Sequence, residues 1–149
     1  MKETVKRWDV LRKIIIATHH NLAKGLKDTL NYISPNTVDI IAINAYVEEE
    51  DLDVSIDKAL GQFDNEEQIF VFTDMVGGSV NQEFAKKLSG YNIELISGVN
   101  LPVALAIILS LSEEAMPSEM VRQIVEEAKE QVVYVNDSLL NQSMDDEDE

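Results

Sequence analysis

The sequence predicts an α/β fold: a doubly wound, mostly parallel sheet of four strands plus a short edge strand, with helices on both faces. Three observations carry this. The runs around Ile14–Ala17, Val38–Tyr46, Gln68–Thr73 and Asn92–Ile96 are short and dominated by aliphatic or β-branched residues, as strands buried on both faces are. Each run is followed by a turn signal and then by apolar residues at helical spacing. Strands and helices alternate four times, which predicts right-handed βαβ crossovers rather than hairpins.

Met1–Arg12 precedes the first strand as an extension; Val5, Trp8 and Leu11 lie three apart, the spacing of a short amphipathic helix or of a loose arm. The domain is expected to span residues 13–137. Its first strand, KIIIATHH, stops abruptly at Thr18, and Asn21 offers an N-cap to a helix carrying Leu22, Leu26 and Leu30 on one face through about Ile33. Ser34-Pro35-Asn36 signals a turn before the second strand. A polar loop, Glu48–Asp53, leads into a helix with Leu52, Ile56, Leu60 and Phe63 on one side. The third strand ends at Asp74, and Met75–Val80 (MVGGSV) makes a tight turn in which Ser79 is placed to cap the next helix. The fourth strand turns through Ser97–Asn100 into Leu101–Leu111, with Pro102 in the first turn, where proline is tolerated. Pro117-Ser118 starts a further helix through about Glu130. Gln131–Asn136 (QVVYVN) reads as the short fifth strand, at an edge. Residues 138–149 end in five consecutive acids and are expected to form a tail without fixed structure.

Composition narrows the function. At 149 residues the chain holds one domain with a substantial core. It has no cysteine, which excludes disulfides, thiolate metal sites and cysteine nucleophiles, and fits a cytoplasmic protein. No signal peptide is visible, and the longest apolar run, Val99–Leu109, is interrupted by Asn100 and Pro102 and falls short of a membrane span. A formal net charge of −16 is the opposite of a nucleic-acid footprint and favours a basic protein partner.

In open α/β sheets chemistry gathers beyond the carboxyl ends of the strands. His19 and His20, the only two histidines, fall at the end of strand one. Asp74 and the Gly77-Gly78-Ser79 turn follow strand three, and Gly98–Pro102 follows strand four. Neutral imidazole is a nitrogen nucleophile able to take a phosphoryl group or shuttle a proton. A carboxylate on one ring nitrogen fixes the tautomer and frees the other nitrogen to attack. A glycine-serine turn offers N–H groups and a hydroxyl to an oxyanion. The bland readings are a hydrogen-bonded strand-end histidine, a solvated His20, and Asp74 as a cap. A metal held by both histidines and Asp74 needs adjacent residues to point at one ion, and a Ser79–His19–Asp74 hydrolase lacks the G-x-S-x-G elbow.

IIIATHH with its helix, FVFTDMVGGSVNQEF, and ELISGVNLPVAL together resemble the mannose-type enzyme IIA domain of the bacterial sugar phosphotransferase system (PTS), over roughly Lys13 to Gln131. The resemblance implies a doubly wound homodimer with a phosphohistidine intermediate and no metal or other cofactor. Phosphoryl would pass from HPr to the IIA histidine, then to enzyme IIB, and reach sugar at the membrane components IIC and IID, the only link to a membrane. By position, His19 after Thr18 is the implied phosphorylated residue, Asp74 its orienting carboxylate, and Thr18, Gly77, Gly78 and Ser79 the phosphoryl-binding group. Gly98, Val99, Asn100 and Pro102 match a turn that shapes the crevice. Two departures stand out: His20 occupies a place where glycine is common, and Val76 one where an aromatic is common. No IIB segment is fused, so the IIB partner is expected on a separate polypeptide. The rival reading is a regulatory module, or the phosphoryl-donor subunit of a dihydroxyacetone kinase, on the same fold.

Overall fold

The computed structural model describes residues 12–147, so the expectation for the N-terminal arm lies outside the described residues. Strands β1 (Arg12–His19), β2 (Val38–Ala45), β3 (Ile69–Thr73) and β4 (Ile93–Ser97) form one sheet in the order β2-β1-β3-β4, and every pair is parallel. Helices α1 (Leu22–Ile33), α2 (Leu52–Leu60), α3 (Ser79–Ala85) and α4 (Leu101–Ser110) each follow one of them, as predicted. α5 (Ser118–Lys129) and α6 (Val135–Glu147) complete the chain.

The two faces of β1 show why its apolar run does not alternate with polar residues. Ile14 and Ile16 enter a core built with α1, α4 and α5. Ile15 and Ala17 enter a second core with α2 and α3. Side chains of a strand point alternately to opposite faces, so a strand covered on both sides must be apolar throughout. The faces also follow from connectivity. The chain steps from β1 outward to β2 over one face, then reverses across β1 to β3 and on to β4. With one hand of crossover, reversing direction means changing face, and α2 and α3 accordingly lie opposite α1. The reversal leaves β1 and β3 adjacent with their connections diverging, which opens a crevice at their carboxyl ends.

Local capping differs from expectation at two helices. Asn21 makes no side-chain cap; the buried Thr18 hydroxyl accepts the Ala23 N–H at 2.7 Å, and Asn44 from β2 accepts that of Lys24 at 3.1 Å. Residues on the two strands therefore fix the start of α1. Ser79 does not cap α3 either: Gly78 is the N-cap, and the serine hydroxyl is engaged elsewhere.

The expected fifth strand is not formed. After α5 the chain turns, with Gln131 N–H on Ala128 O at 3.1 Å, and Val132–Tyr134 run without a sheet partner. A strand needs a neighbouring ladder as well as β-prone residues, and no described strand pairs with this segment. From Val135 the chain is helical through Glu147, so most of the expected unstructured tail is α6. Leu, Gln and Met are good helix formers, and Asp137 lies in the first turn, where a negative charge is favourable. Among the described residues no helix is long and apolar enough to cross a membrane.

One buried polar contact ties the α4–α5 connection to the sheet. Gln68, just before β3, donates Nε2–H to Met116 O at 2.9 Å and accepts the Met116 N–H on Oε1 at 2.7 Å. Its side chain thus completes both backbone groups of a buried residue. Gln68→Leu should leave both unsatisfied and lower stability by about 2–4 kcal/mol, read from chemical denaturation. Unchanged stability would show that water replaces the amide.

Candidate functional site

The carboxyl ends of β1 and β3 bring His19 and Asp74 together. The register Ala17↔Thr73 sets the next residues of both strands side by side at the rim. One oxygen, Asp74 Oδ2, accepts the His19 backbone N–H at 2.8 Å and the ring Nδ1–H at 2.8 Å. The other, Oδ1, accepts the Met75 N–H at 3.0 Å. The Asp74 side chain is 11% exposed, against 36% for His19. Burial pushes the Asp74 carboxyl upward, but the hydrogen bonds from the His19 backbone and ring and from its own turn outweigh it, so the pKa lies below the ordinary carboxylate value.

An ionised carboxylate only accepts, so in the neutral ring Nδ1 carries the proton and Nε2 keeps a lone pair. Ser79 Oγ lies 3.2 Å from Nε2, and Tyr46 Oη lies 2.7 Å from Ser79 Oγ. The tyrosine ring also leans on the imidazole, with centroids 5.7 Å apart and planes tilted by 42°. Asp74, His19, Ser79 and Tyr46 thus form one line of hydrogen bonds drawn from the ends of β3, β1 and β2 and the start of α3.

The remaining predicted residues divide. Thr18 is fully buried and its hydroxyl caps α1, which positions the strand end. Gly77 has φ +75°, a conformation natural to glycine. Its N–H goes to Asn81 Oδ1 at 3.1 Å, and the Gly78 N–H goes to Met75 O at 3.2 Å. Both amides are therefore used within the turn. A Cβ on Gly78 would stand 3.3 Å from Met75 O, a tight contact, and 3.5 Å from His19 Cε1, an ordinary one. His20 is exposed, and its ring makes no hydrogen bond among the described residues. Asn100 caps α4 by accepting the Val103 N–H at 2.9 Å, and the Val99 N–H reaches Thr73 O at 3.0 Å, so the β4 turn braces the end of β3.

Sequence reasoning missed three residues. Asn81 bridges the turn, accepting from Gly77 and donating Nδ2–H to Thr73 Oγ1 at 3.1 Å. Gln82 donates to Gly77 O at 2.7 Å. Their signal is a pair of amides four and five residues after a glycine. Tyr46 was read only as the end of a strand. Its signal was its place: an aromatic at the mouth of the strand neighbouring β1.

The arrangement suits nucleophilic attack by Nε2, with the ring oriented from behind. The same three groups also have the outline of an acyl-transfer triad. Against that, Gly77 and Gly78 N–H are not free to hold an oxyanion, and Ser79 lies in the first turn of a helix rather than on an elbow. The ring stands at an open rim: a cleft of about 440 Å³ along the outer edge of β2 reaches Tyr46 but is not lined by His19. Among the described residues no three His, Cys, Asp or Glu side chains converge as metal ligands.

With this geometry in place, comparison with known proteins is informative. The EIIA-man family model, described as PTS system fructose IIA component, matches residues 13–125. A structure from Klebsiella pneumoniae, assigned to a phosphoenolpyruvate-dependent sugar phosphotransferase system permease, is 31% identical over 87% of this chain and 95% of its own, with TM-score 0.77. Phosphotransferase system component EIIA of Streptococcus agalactiae is 24% identical over 85% of this chain and 98% of its own, with TM-score 0.68. The mannose/sorbose specific IIA subunit of Enterococcus faecalis is 17% identical over 83% and 94%, again at TM-score 0.68. The last two are likenesses of fold alone. No curated protein sequence matches the chain.

The depressed Asp74 pKa sets a pH dependence. The native state binds that proton less readily than the unfolded chain, so the contribution to stability is complete above about pH 4 and fades as pH falls through the lowered native value. Wild type should therefore be more stable than Asp74→Asn near neutrality, and the gap should narrow toward about pH 3 in paired melting curves. A gap that stays constant with pH would mean the carboxylate charge does not stabilise the fold.

Proposed function

The chain belongs to the EIIA-man family, and from that membership we propose that it is a IIA phosphoryl carrier, accepting phosphoryl from phospho-HPr on His19 and passing it to enzyme IIB for sugar uptake. The observation that supports this most is the His19 ring, fixed through Nδ1 by Asp74 with Nε2 facing the Ser79 hydroxyl on a part-exposed side chain. On this reading the Nε2 lone pair attacks phosphorus in line. The bond from phosphorus to its atom on HPr breaks, and that atom keeps the electron pair. The Nδ1 proton stays shared with Asp74, whose charge stabilises the imidazolium that forms. Ser79, with the Gly77–Gly78 turn setting its place, donates its hydroxyl to a phosphoryl oxygen, while Thr18 acts only by holding the strand end. Passage to IIB is the same exchange reversed. The transfer calls on neither metal nor nucleotide, because both partners supply preformed phosphoryl donors and acceptors.

The surroundings fit protein partners. Met75 and Val76, beside Asp74, are 56% and 85% exposed and offer apolar contact. The acidic run Glu48–Asp51 follows Tyr46 and Val47 on the same rim, favouring a basic docking face and salt-sensitive association. We place the exchange in the cytoplasm, with the membrane reached only through IIC and IID.

We also propose a homodimer. Val132, Val133, Tyr134 and Val135 are exposed and unpaired, and β4 is a sheet edge. A second copy can cover the apolar segment with its own sheet edge, satisfying both at once. Sedimentation should give twice the chain mass, and Val133→Asp should shift it toward the monomer. A wild-type monomer at micromolar concentration would remove the dimer.

The carrier reading is tested by labelling from phosphoenolpyruvate, enzyme I and HPr. His19→Ala should abolish labelling and His20→Ala should retain it; the reverse pattern would move the phosphoryl group to His20. Asp74→Asn should label roughly 10²–10⁴-fold more slowly with the fold retained. An unchanged rate would remove its orienting role.

A further inference from the structure

Resting on the carrier reading, we infer that Tyr46 is a positioning residue for the transfer, acting through Ser79 on the nitrogen that takes the phosphoryl group. Two independent observations carry this. The first is the direction of the hydrogen bonds. Asp74 can only accept, so the neutral His19 ring, the form able to attack, donates from Nδ1 and accepts at Nε2. Ser79 must then donate its one proton to Nε2, and Tyr46 must donate to Ser79 Oγ. The carboxylate thereby fixes every proton in the line as far as the tyrosine hydroxyl, and each donor polarises the next.

The second observation is the backbone of Tyr46, which has φ +67°. A bulky residue in the left-handed region costs about 1 kcal/mol or more and persists where its surroundings hold it. Tyr46 lies outside helix and strand: β2 ends at Ala45 and the following turn is exposed. The strained backbone delivers the side chain to the site, where its ring meets the imidazole and its hydroxyl meets Ser79.

Phosphorylation changes what this line can do. Once Nε2 bonds to phosphorus it no longer accepts, and the Ser79 proton is released to a phosphoryl oxygen. The Tyr46 hydroxyl, still on Ser79 Oγ, holds the serine in the rotamer that serves both states. Without it, Ser79 is free to rotate and the donor is lost for part of the time. Tyr46 therefore acts on the rate of transfer rather than on recognition of HPr.

Tyr46→Phe removes the hydroxyl and keeps the ring, so it isolates the proposed contact. In rapid mixing with phospho-HPr it should lower the maximal transfer rate about three- to tenfold, with the KM for HPr unchanged. In a Ser79→Ala background the same substitution should have no further effect. The ¹⁵N resonance of His19 Nε2 in the unphosphorylated protein should move in Tyr46→Phe, in the direction seen for Ser79→Ala. A wild-type transfer rate, a change in KM alone, an equal slowing without Ser79, or an unmoved resonance would each overturn the inference. Wild-type protein that takes no label would instead sink the carrier reading, and this inference with it; labelled wild type beside a full-rate Tyr46→Phe sinks this inference alone.

Discussion

Asp74 Oδ2 accepts two N–H groups from one residue, the backbone and the ring of His19, and this shared oxygen governs the site. It stitches the ends of β1 and β3 together beyond their last ladder pair. It also sets the ring's plane, its tautomer and the free nitrogen in one contact. The contact exists because the chain reverses direction across β1, which makes two strands far apart in sequence neighbours in the sheet. A one-residue slip of register would turn either side chain to the other face. Fold and chemistry therefore share a constraint: the doubly apolar β1 and β3 fix the register, and the register fixes the pair.

How far the sequence foretold this depends on what kind of signal each feature leaves. The four strands and the helices α1 to α5 were legible because burial on two faces forces unbroken apolar runs, and helices between them show period and caps. His19 and Asp74 were singled out because they fall at strand ends and within the motifs of the resembled family, although capping alone would also explain each; the fold brings the two into contact. The fifth strand was misread because Val132–Tyr134 has strand composition, while pairing depends on where the fold sets the segment, and no described strand pairs with it. The caps were misread for a related reason. Asn21 and Ser79 have the right chemistry at the right place, but Thr18, Asn44 and Gly78 reach those positions through the fold. Tyr46 left only its place at a strand end as a signal, since its contacts depend on β2 lying beside β1.

The strand mouths share a backbone device. A residue with positive φ follows each strand: His20 at +54° after β1, Tyr46 at +67° after β2, Gly77 at +75° beyond β3 and Gly98 at +78° after β4. Each turns the chain sharply toward its helix and keeps the rim low. Two are glycines, for which the conformation is free, and the sequence read both as turns. The other two are a histidine and a tyrosine, each paying about 1–2 kcal/mol in strain. The left-handed backbone at His20 is one that glycine would adopt without strain. At that position the ring is exposed and makes no hydrogen bond among the described residues. At Tyr46 the side chain has partners, and the strain has a counterpart in contacts.

The composition of the site suits exchange in both directions. A carrier must take a group from one partner and surrender it to another, so it cannot hold the loaded state much more tightly than the empty one. Among the described residues, no lysine or arginine bonds to His19, Asp74, Ser79 or Tyr46. The donors on the Nε2 side are neutral hydroxyls, worth about 0.5–1.5 kcal/mol each, where a charged donor contributes roughly twice as much. The one formal charge is the aspartate, and it lies behind the ring. On the carrier reading it would stabilise the positive charge that develops on the imidazole whether phosphoryl arrives or leaves. A guanidinium in front would bind the phosphoryl dianion itself and deepen one state alone. Fixed electrostatics behind the nucleophile and weak, movable donors before it favour a passing phosphoryl group over a trapped one.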